Sequence, residues 1–278
     1  MTANLRHALL FSIALHGNTS AQDIDTREIT EIGAEVRIRT PELVAVVRKK
    51  GYVTGVAAQS FVDRKTGFRD AGYGLDIVDW ILEPGSDEAY RSQLTGDLAY
   101  EFNNSYHGRI PKRTIEGPQI CTQAKELPVK AWFGPGFIAV KQSFQYTIAA
   151  PGKKTGSTWE QTIVFPAGKR YFVSSDKITA VNAIEAMCLR IDMPGHIQHS
   201  RGDSFSEVYL SYKGRIPSRE FLENFAPDEK HLYQRGKEIP ERFLRAYHLR
   251  DPKTGKDGPW LAGMTLEPSV VSEAWCHQ

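Results

Sequence analysis

Thr158-Trp159-Glu160-Gln161-Thr162-Ile163-Val164-Phe165 sets Trp159, Gln161, Ile163 and Phe165 against Thr158, Glu160, Thr162 and Val164 in strict alternation. A period of two belongs to a strand, whose successive side chains point to opposite faces. Upstream, Phe144, Tyr146 and Ile148 alternate with Ser143, Gln145 and Thr147 in the same way. Pro151-Gly152-Lys153-Lys154-Thr155-Gly156 lies between the two runs and has the composition of a turn, so the pair reads as a hairpin. Pro166-Ala167-Gly168-Lys169 then starts a turn into a further extended run, Arg170 to Val181.

The same signals recur along the chain. Val36 and Ile38 alternate with Arg37 and Arg39, and Leu43, Ala45 and Val47 follow after Pro41. Tyr52 to Val62 reads as extended and ends in the polar, glycine-closed hairpin loop Asp63-Arg64-Lys65-Thr66-Gly67. Gly72 to Leu82 continues the sheet up to Pro84-Gly85-Ser86-Asp87. Ala186 to Met193 and Phe205 to Tyr212 are further strands, as are Arg242 to Arg250 and Trp260 to Leu266 on either side of a turn at Asp251 to Pro259. Helix is expected only over Pro217 to Phe225 and as a short terminal helix over Pro268 to His277. These signals predict an all-β fold, an antiparallel sandwich or super-sandwich with a few short helices.

Composition bounds the function. The chain of 278 residues is 41% hydrophobic and 24% charged, ordinary values for a globular protein. A formal charge of +2 provides no global field to attract nucleic acid. No apolar run reaches membrane-spanning length. Arg6 and His7 before the apolar run Ala8 to Leu15, with small residues at Thr19-Ser20-Ala21, read as an export signal over residues 1–21. The alternative is an apolar first strand or helix. Residues 22–33 read as a polar linker, and 34–278 as one β-sandwich domain of a secreted or periplasmic protein. Cys121, Cys188 and Cys276 allow one disulfide at most, and their apolar surroundings favour buried thiols. The abrupt end at Trp275-Cys276-His277-Gln278 reads as a piece of a longer protein or as a docked terminus, with the former preferred.

Ser157-Thr158-Trp159-Glu160-Gln161-Thr162 and Met193-Pro194-Gly195-His196 resemble strand and strand-end segments of the galactose-mutarotase-like β-sandwiches of bacterial carbohydrate-active proteins, polysaccharide lyases among them. Over residues 34 to 278 this resemblance implies a carbohydrate ligand. It carries no catalytic assignment, because no diagnostic motif of one family is matched.

Asn103-Asn104-Ser105-Tyr106-His107-Gly108-Arg109-Ile110-Pro111-Lys112-Arg113 gathers amide, phenol, imidazole, guanidinium and ammonium groups in the stretch from Glu83 to Arg113, where periodicity is lost. Proton abstraction beside a uronate carboxylate needs a base, a group that neutralises the carboxylate and an acid for the leaving oxygen. His107, Tyr106 and Arg109 supply these types, and His196, at a Pro-Gly turn closing a strand, is their expected acid/base partner. Asn103, Lys112, Arg113, Glu116, Trp159 and Glu160 are the candidate substrate-binding residues. His196-x-x-His199 with Asp192 and Asp203 is a weak metal pattern, and neither metal nor cofactor is expected.

Ser105 to Arg113 matches Ser211 to Arg219 at seven of nine positions, which suggests one turn used twice and singles out His107 against Lys213. Two functions follow as expectations. One is a lyase-like or epimerase-like enzyme acting on a polysaccharide or oligosaccharide, an acidic glycan slightly preferred. The other is a non-catalytic sugar-binding or cell-surface module in which Trp132, Trp159 and Trp260 form a stacking face.

Overall fold

The computed structural model describes residues 26–50, 55–70, 80–94, 96, 98, 111–120, 124–184, 204–220, 231–236 and 240–274. These form antiparallel strands joined by turns, and the described helix is limited to short pieces, among them the 3-10 segments Arg91–Gln93, Ser218–Glu220 and Pro268–Val270. No described helix is long and apolar enough to cross a membrane.

Three four-stranded sheets dominate. The first has the order β1 (Glu28–Ile32), β2 (Glu35–Arg39), β3 (Leu43–Arg48), β4 (Val62–Asp63). The second has the order β11 (Val173–Thr179), β10 (Thr158–Pro166), β8 (Phe137–Gln145), β7 (Val129–Gly134). The third has the order β13 (Gly214–Pro217), β12 (Phe205–Leu210), β15 (Phe243–Arg250), β16 (Asp257–Thr265). A smaller sheet joins β5 (Ile81–Pro84), β6 (Lys112–Gly117) and β9 (Ile148–Ala149), and β14 (Tyr233–Gln234) pairs with β17 (Glu273–Ala274).

The first two sheets form the sandwich. Val36, Ile38, Leu43, Ala45 and Val47 face Ile138, Val140, Ile163 and Phe165 in one fully buried cluster. A second cluster, with Ile81, Ile115, Ile120, Leu127, Tyr146 and Trp159, seats the β5-β6-β9 sheet at the end of β10. Between the two clusters runs a polar row, Gln142–Gln161–Asp176, in direct cross-strand register. Most of its groups are matched: Gln142 Nε2 donates to the Arg48 carbonyl at 2.7 Å, and the Gln161 side-chain carbonyl accepts from Gly55 N–H at 2.9 Å, while the buried Gln142 Oε1 has no partner among the described residues. Such partners offset most of the cost of burying these polar groups.

The third sheet buries Phe205, Val208, Leu210, Ile216, Tyr247 and Leu249 on one face. Phe68, at the end of the β4 hairpin loop, packs into this cluster, and Leu261 touches both this cluster and the sandwich core. Gly258 lets the Phe68 ring approach, since a Cβ there would fall inside the ring's van der Waals shell.

Several expectations are corrected. The stretch read as a linker, 22–33, supplies β1, which pairs with β2 along its whole length. It hid from a hydropathy reading because four of its five residues are exposed. Within Tyr52 to Val62, the described residues 55–61 contribute only a bridge from Val56 to Val47. There a turn at Gln59 (φ 58°) is held by the buried Asp70 carboxylate, which accepts from Gln59 N–H and Phe61 N–H. The run from Ser143 to Ile148 splits: β8 ends at Gln145, and Ile148 pairs with Gly117 in another sheet. The turn at Asp251 to Pro259 is shorter, because Pro259 is already inside β16, an edge strand that tolerates a missing N–H donor. The terminal helix is one 3-10 turn, capped by Glu267 accepting from Ser269 N–H, followed by β17. The repeated nonapeptide does not repeat a conformation where both copies are described: Lys112–Arg113 are strand, whereas Ser218–Arg219 open a 3-10 turn.

Candidate functional site

His107, Tyr106, Arg109, Asn103 and His196 lie outside the described residues, as do His199, Asp192, Asp203, the three cysteines and the export-signal region. The other sequence candidates are placed, and most of them hold the fold together. Lys112 Nζ pairs with Glu273 Oε2 at 3.1 Å, with both side chains almost wholly buried. Arg113 Nε meets Glu83 Oε1 at 2.7 Å, and Lys153 reaches the same oxygen at 3.3 Å. Glu116 is fully buried and accepts from Ser157 N–H at 3.1 Å, from the Ser157 hydroxyl and from Asn182 Nδ2 at 3.0 Å. Its carboxylate is enclosed by its own donors, so it is a core acceptor rather than a ligand contact.

Trp159 is also fully buried, and its indole N–H donates to Asp176 Oδ1 at 2.8 Å. It has no face open to a ligand. Burial pushes the Asp176 carboxyl up, against the hydrogen bonds from Trp159 and Gln161. Glu160 points to the outer face of the same sheet between Lys141 and Lys177, and the Lys141 hydrogen bond holds its carboxyl below the usual range. The expected platform of three tryptophans does not form. Trp159 faces inward, Trp132 lies on β7 with Lys130 over its ring, and Trp260 belongs to the third sheet.

That third sheet gathers exposed aromatic and charged groups on one face. Because its inner face is apolar, the alternate residues of each strand must face outward. Register sets Glu207, His248 and Trp260 in one row across β12, β15 and β16, with Arg215 and Tyr209 in the next row. The His248 and Trp260 rings stack at 4.9 Å between centroids, with 7° between planes. Trp260 keeps 40% of its surface exposed and Tyr209 38%. The Arg215 guanidinium stands over the Trp260 ring at 5.6 Å and reaches Glu207 Oε1 at 3.4 Å.

A bulge in β12 shapes this corner. The register with β15 shifts between Phe205 and Glu207, leaving Ser206 as the extra residue. Ser206 and Glu207, though consecutive, therefore both approach His248 Nδ1, at 3.2 Å for Ser206 Oγ and 3.6 Å for Glu207 Oε1. A serine-histidine-acid triad needs hydroxyl and carboxylate on opposite ring nitrogens. Here both lie on one, so the arrangement fixes the imidazole without activating the serine.

Tyr209 leads from this face into an open cleft of about 790 Å³, lined also by Lys213, Tyr233, Gln234, Glu241 and Arg242. Its aromatic wall is rigid, since Tyr212, Tyr233 and Phe243 pack ring against ring at 5.1–5.5 Å and the Tyr212 hydroxyl donates to the His231 carbonyl at 2.9 Å. Among the described residues, no three His, Cys, Asp or Glu side chains gather to hold a metal ion. The sequence reading named Trp260 but missed His248, Glu207, Arg215 and Tyr209. The signal available to it was the alternation within Phe205 to Tyr212 and Arg242 to Arg250. No protein-family model matches the chain, and no curated protein matches it significantly.

Proposed function

We propose that this chain is a carbohydrate-binding β-sandwich protein whose ligand lies along the open face of the β13-β12-β15-β16 sheet. The observation that carries the proposal is the His248–Trp260 stack, an ordered and partly exposed aromatic surface bordered by Glu207, Arg215 and Tyr209. Aromatic rings suit the apolar faces of sugar rings, while a few fixed polar groups around them set orientation. The cleft beyond Tyr209 gives an oligosaccharide room to continue. The resemblance of Ser157 to Thr162 to carbohydrate-active sandwiches, and the export-like N-terminus, agree with such a role outside the cytoplasm.

A glycan array tests the proposal. The wild-type protein is expected to retain one or more oligosaccharides, and Trp260→Ala to weaken that binding about tenfold. Binding unchanged by Trp260→Ala removes the third sheet from the reading. Acid/base turnover of the same ligand by His107, Tyr106, Arg109 and His196 is a separate proposal. It fails if His107→Ala and His196→Ala both leave turnover of an accepted substrate unchanged.

A further inference from the structure

We infer that this face selects acidic glycans, with Arg215 as the receptor for a carboxylate or sulfate on the ligand; the inference rests on the glycan-binding reading above. Arg215 stands on β13, an edge strand, and its side chain is 70% exposed. Among the described residues, only Glu207 engages the guanidinium as a hydrogen-bond acceptor, through a single 3.4 Å contact with Nη1. A guanidinium carries five N–H donors in a planar fork that fits carboxylate and sulfate through two parallel bonds. A long, single-point, solvent-exposed ion pair contributes little and is readily exchanged for a two-point one.

Glu207 is not stranded by that exchange. It is partly exposed, and its Oε1 also lies 3.6 Å from His248 Nδ1, so the carboxylate keeps a neighbour when the guanidinium turns to a ligand. The position of Arg215 over Trp260 then has a direct use. A sugar ring on the indole brings its own acidic substituent within reach of the guanidinium 5.6 Å from the ring centre. Beyond it, Lys213, in the turn that precedes β13, and Arg242 line the cleft, with Glu241 as the opposing charge. Among the described residues, the track from Trp260 into the cleft thus places Arg215, Lys213 and Arg242 beside Glu207 and Glu241.

The test uses matched oligosaccharide pairs of several linkages, each uronate beside its methyl ester and each sulfated sugar beside its desulfated form. Binding is measured by calorimetry for the wild type, Arg215→Gln, Arg215→Lys and Trp260→Ala. The wild type is expected to bind the acidic member of at least one pair about tenfold more tightly than the neutral one. Arg215→Gln should bring the two members level, Arg215→Lys should restore part of the preference, and Trp260→Ala should weaken both. The pair that shows the preference identifies carboxylate or sulfate as the group read.

Equal binding of both members, or a preference that survives Arg215→Gln, overturns the inference while Trp260-dependent binding upholds the wider reading. Failure of every oligosaccharide, or binding indifferent to Trp260→Ala, overturns both. A single-stranded oligonucleotide that displaces the acidic sugar at equal or lower concentration overturns the inference in favour of a nucleic-acid ligand.

Discussion

Trp159 and Trp260 sit on strands of equal length, β10 and β16, and their fates are opposite. The first is sealed in the core with its N–H on Asp176, whereas the second is 40% exposed on an open sheet face. Local sequence does not separate them. Trp159 shares a face with Ile163 and Phe165, and Trp260 shares one with Ala262 and Met264, while the strand's opposite face carries Pro259, Leu261, Gly263 and Thr265. The difference lies in what covers each sheet. The sandwich lays β2 and β3 over the Trp159 sheet and the second cluster encloses the ring itself, whereas the third sheet packs its inner face, Leu261 included, against Phe68 and leaves the Trp260 face open. Side-chain alternation therefore fixes which residues travel together, and long-range packing fixes which group is buried.

The largest expected effect tests the buried half of this contrast. Trp159→Ala should cost about 3–5 kcal/mol, the range for deleting a core aromatic and leaving a cavity. Chemical denaturation reads it as a lower midpoint, and a loss below about 1 kcal/mol would mean that the ring is not sealed. Next in size is the joint between the two regions. Gly258→Ala would push a methyl group into Phe68, costing about 1–3 kcal/mol as an overpacked contact. Gly258→Ala combined with Phe68→Ala should cost less than the two single losses added together. Simple additivity would show that the ring and the glycine do not touch.

Much of the fold was legible because its signals are local. The hairpin from β8 to β10 follows from period-two runs and a glycine-bearing turn, and the tight loop after Asp63 follows from its own composition. The candidate site was not legible in this way. Counting back from the pair Arg250–Asp257 would set His248 opposite Pro259. A register shift between His248 and Arg250 sets it opposite Trp260 instead. A second shift, in β12, brings Ser206 and Glu207 to one nitrogen. Each bulge inserts one residue and re-aims every side chain beyond it; Gly258-Pro259 marks the one in β16, but no composition signal marks the one in β12. Glu116 misled for a related reason. Its donors, Ser157 and Asn182, are 41 and 66 residues away, so nothing nearby shows that it is enclosed.

The exposed tryptophan predicts a smaller change in stability. Trp260→Ala should shift the denaturation midpoint by no more than about 1 kcal/mol, since it removes a surface stack rather than a core ring. A loss as large as that of Trp159→Ala would show that the third sheet is covered in solution, and the contrast between the two rings would collapse.

The smallest expected effect is a pH dependence, and it comes from the residue that holds Trp159 in place. Burial raises the folded-state pKa of Asp176 above the ordinary 3.8, while the unfolded chain keeps the ordinary value. Below the unfolded value the carboxyl is protonated in both states, and its contribution to stability is fully present. As pH rises, the unfolded chain ionises first, so the fold loses stability until the pH passes the raised folded value, and then the loss levels off. Asp176→Asn keeps an Oδ1 acceptor for the Trp159 and Gln161 donors and cannot ionise. Its stability relative to wild type should therefore climb from about pH 4 upward and reach a plateau. A difference that stays flat across that range, or that falls with pH, would mean that the Asp176 carboxylate is better solvated than its place in the polar row implies. The sealed environment assigned to Trp159 would then be too dry by at least one water-accessible path.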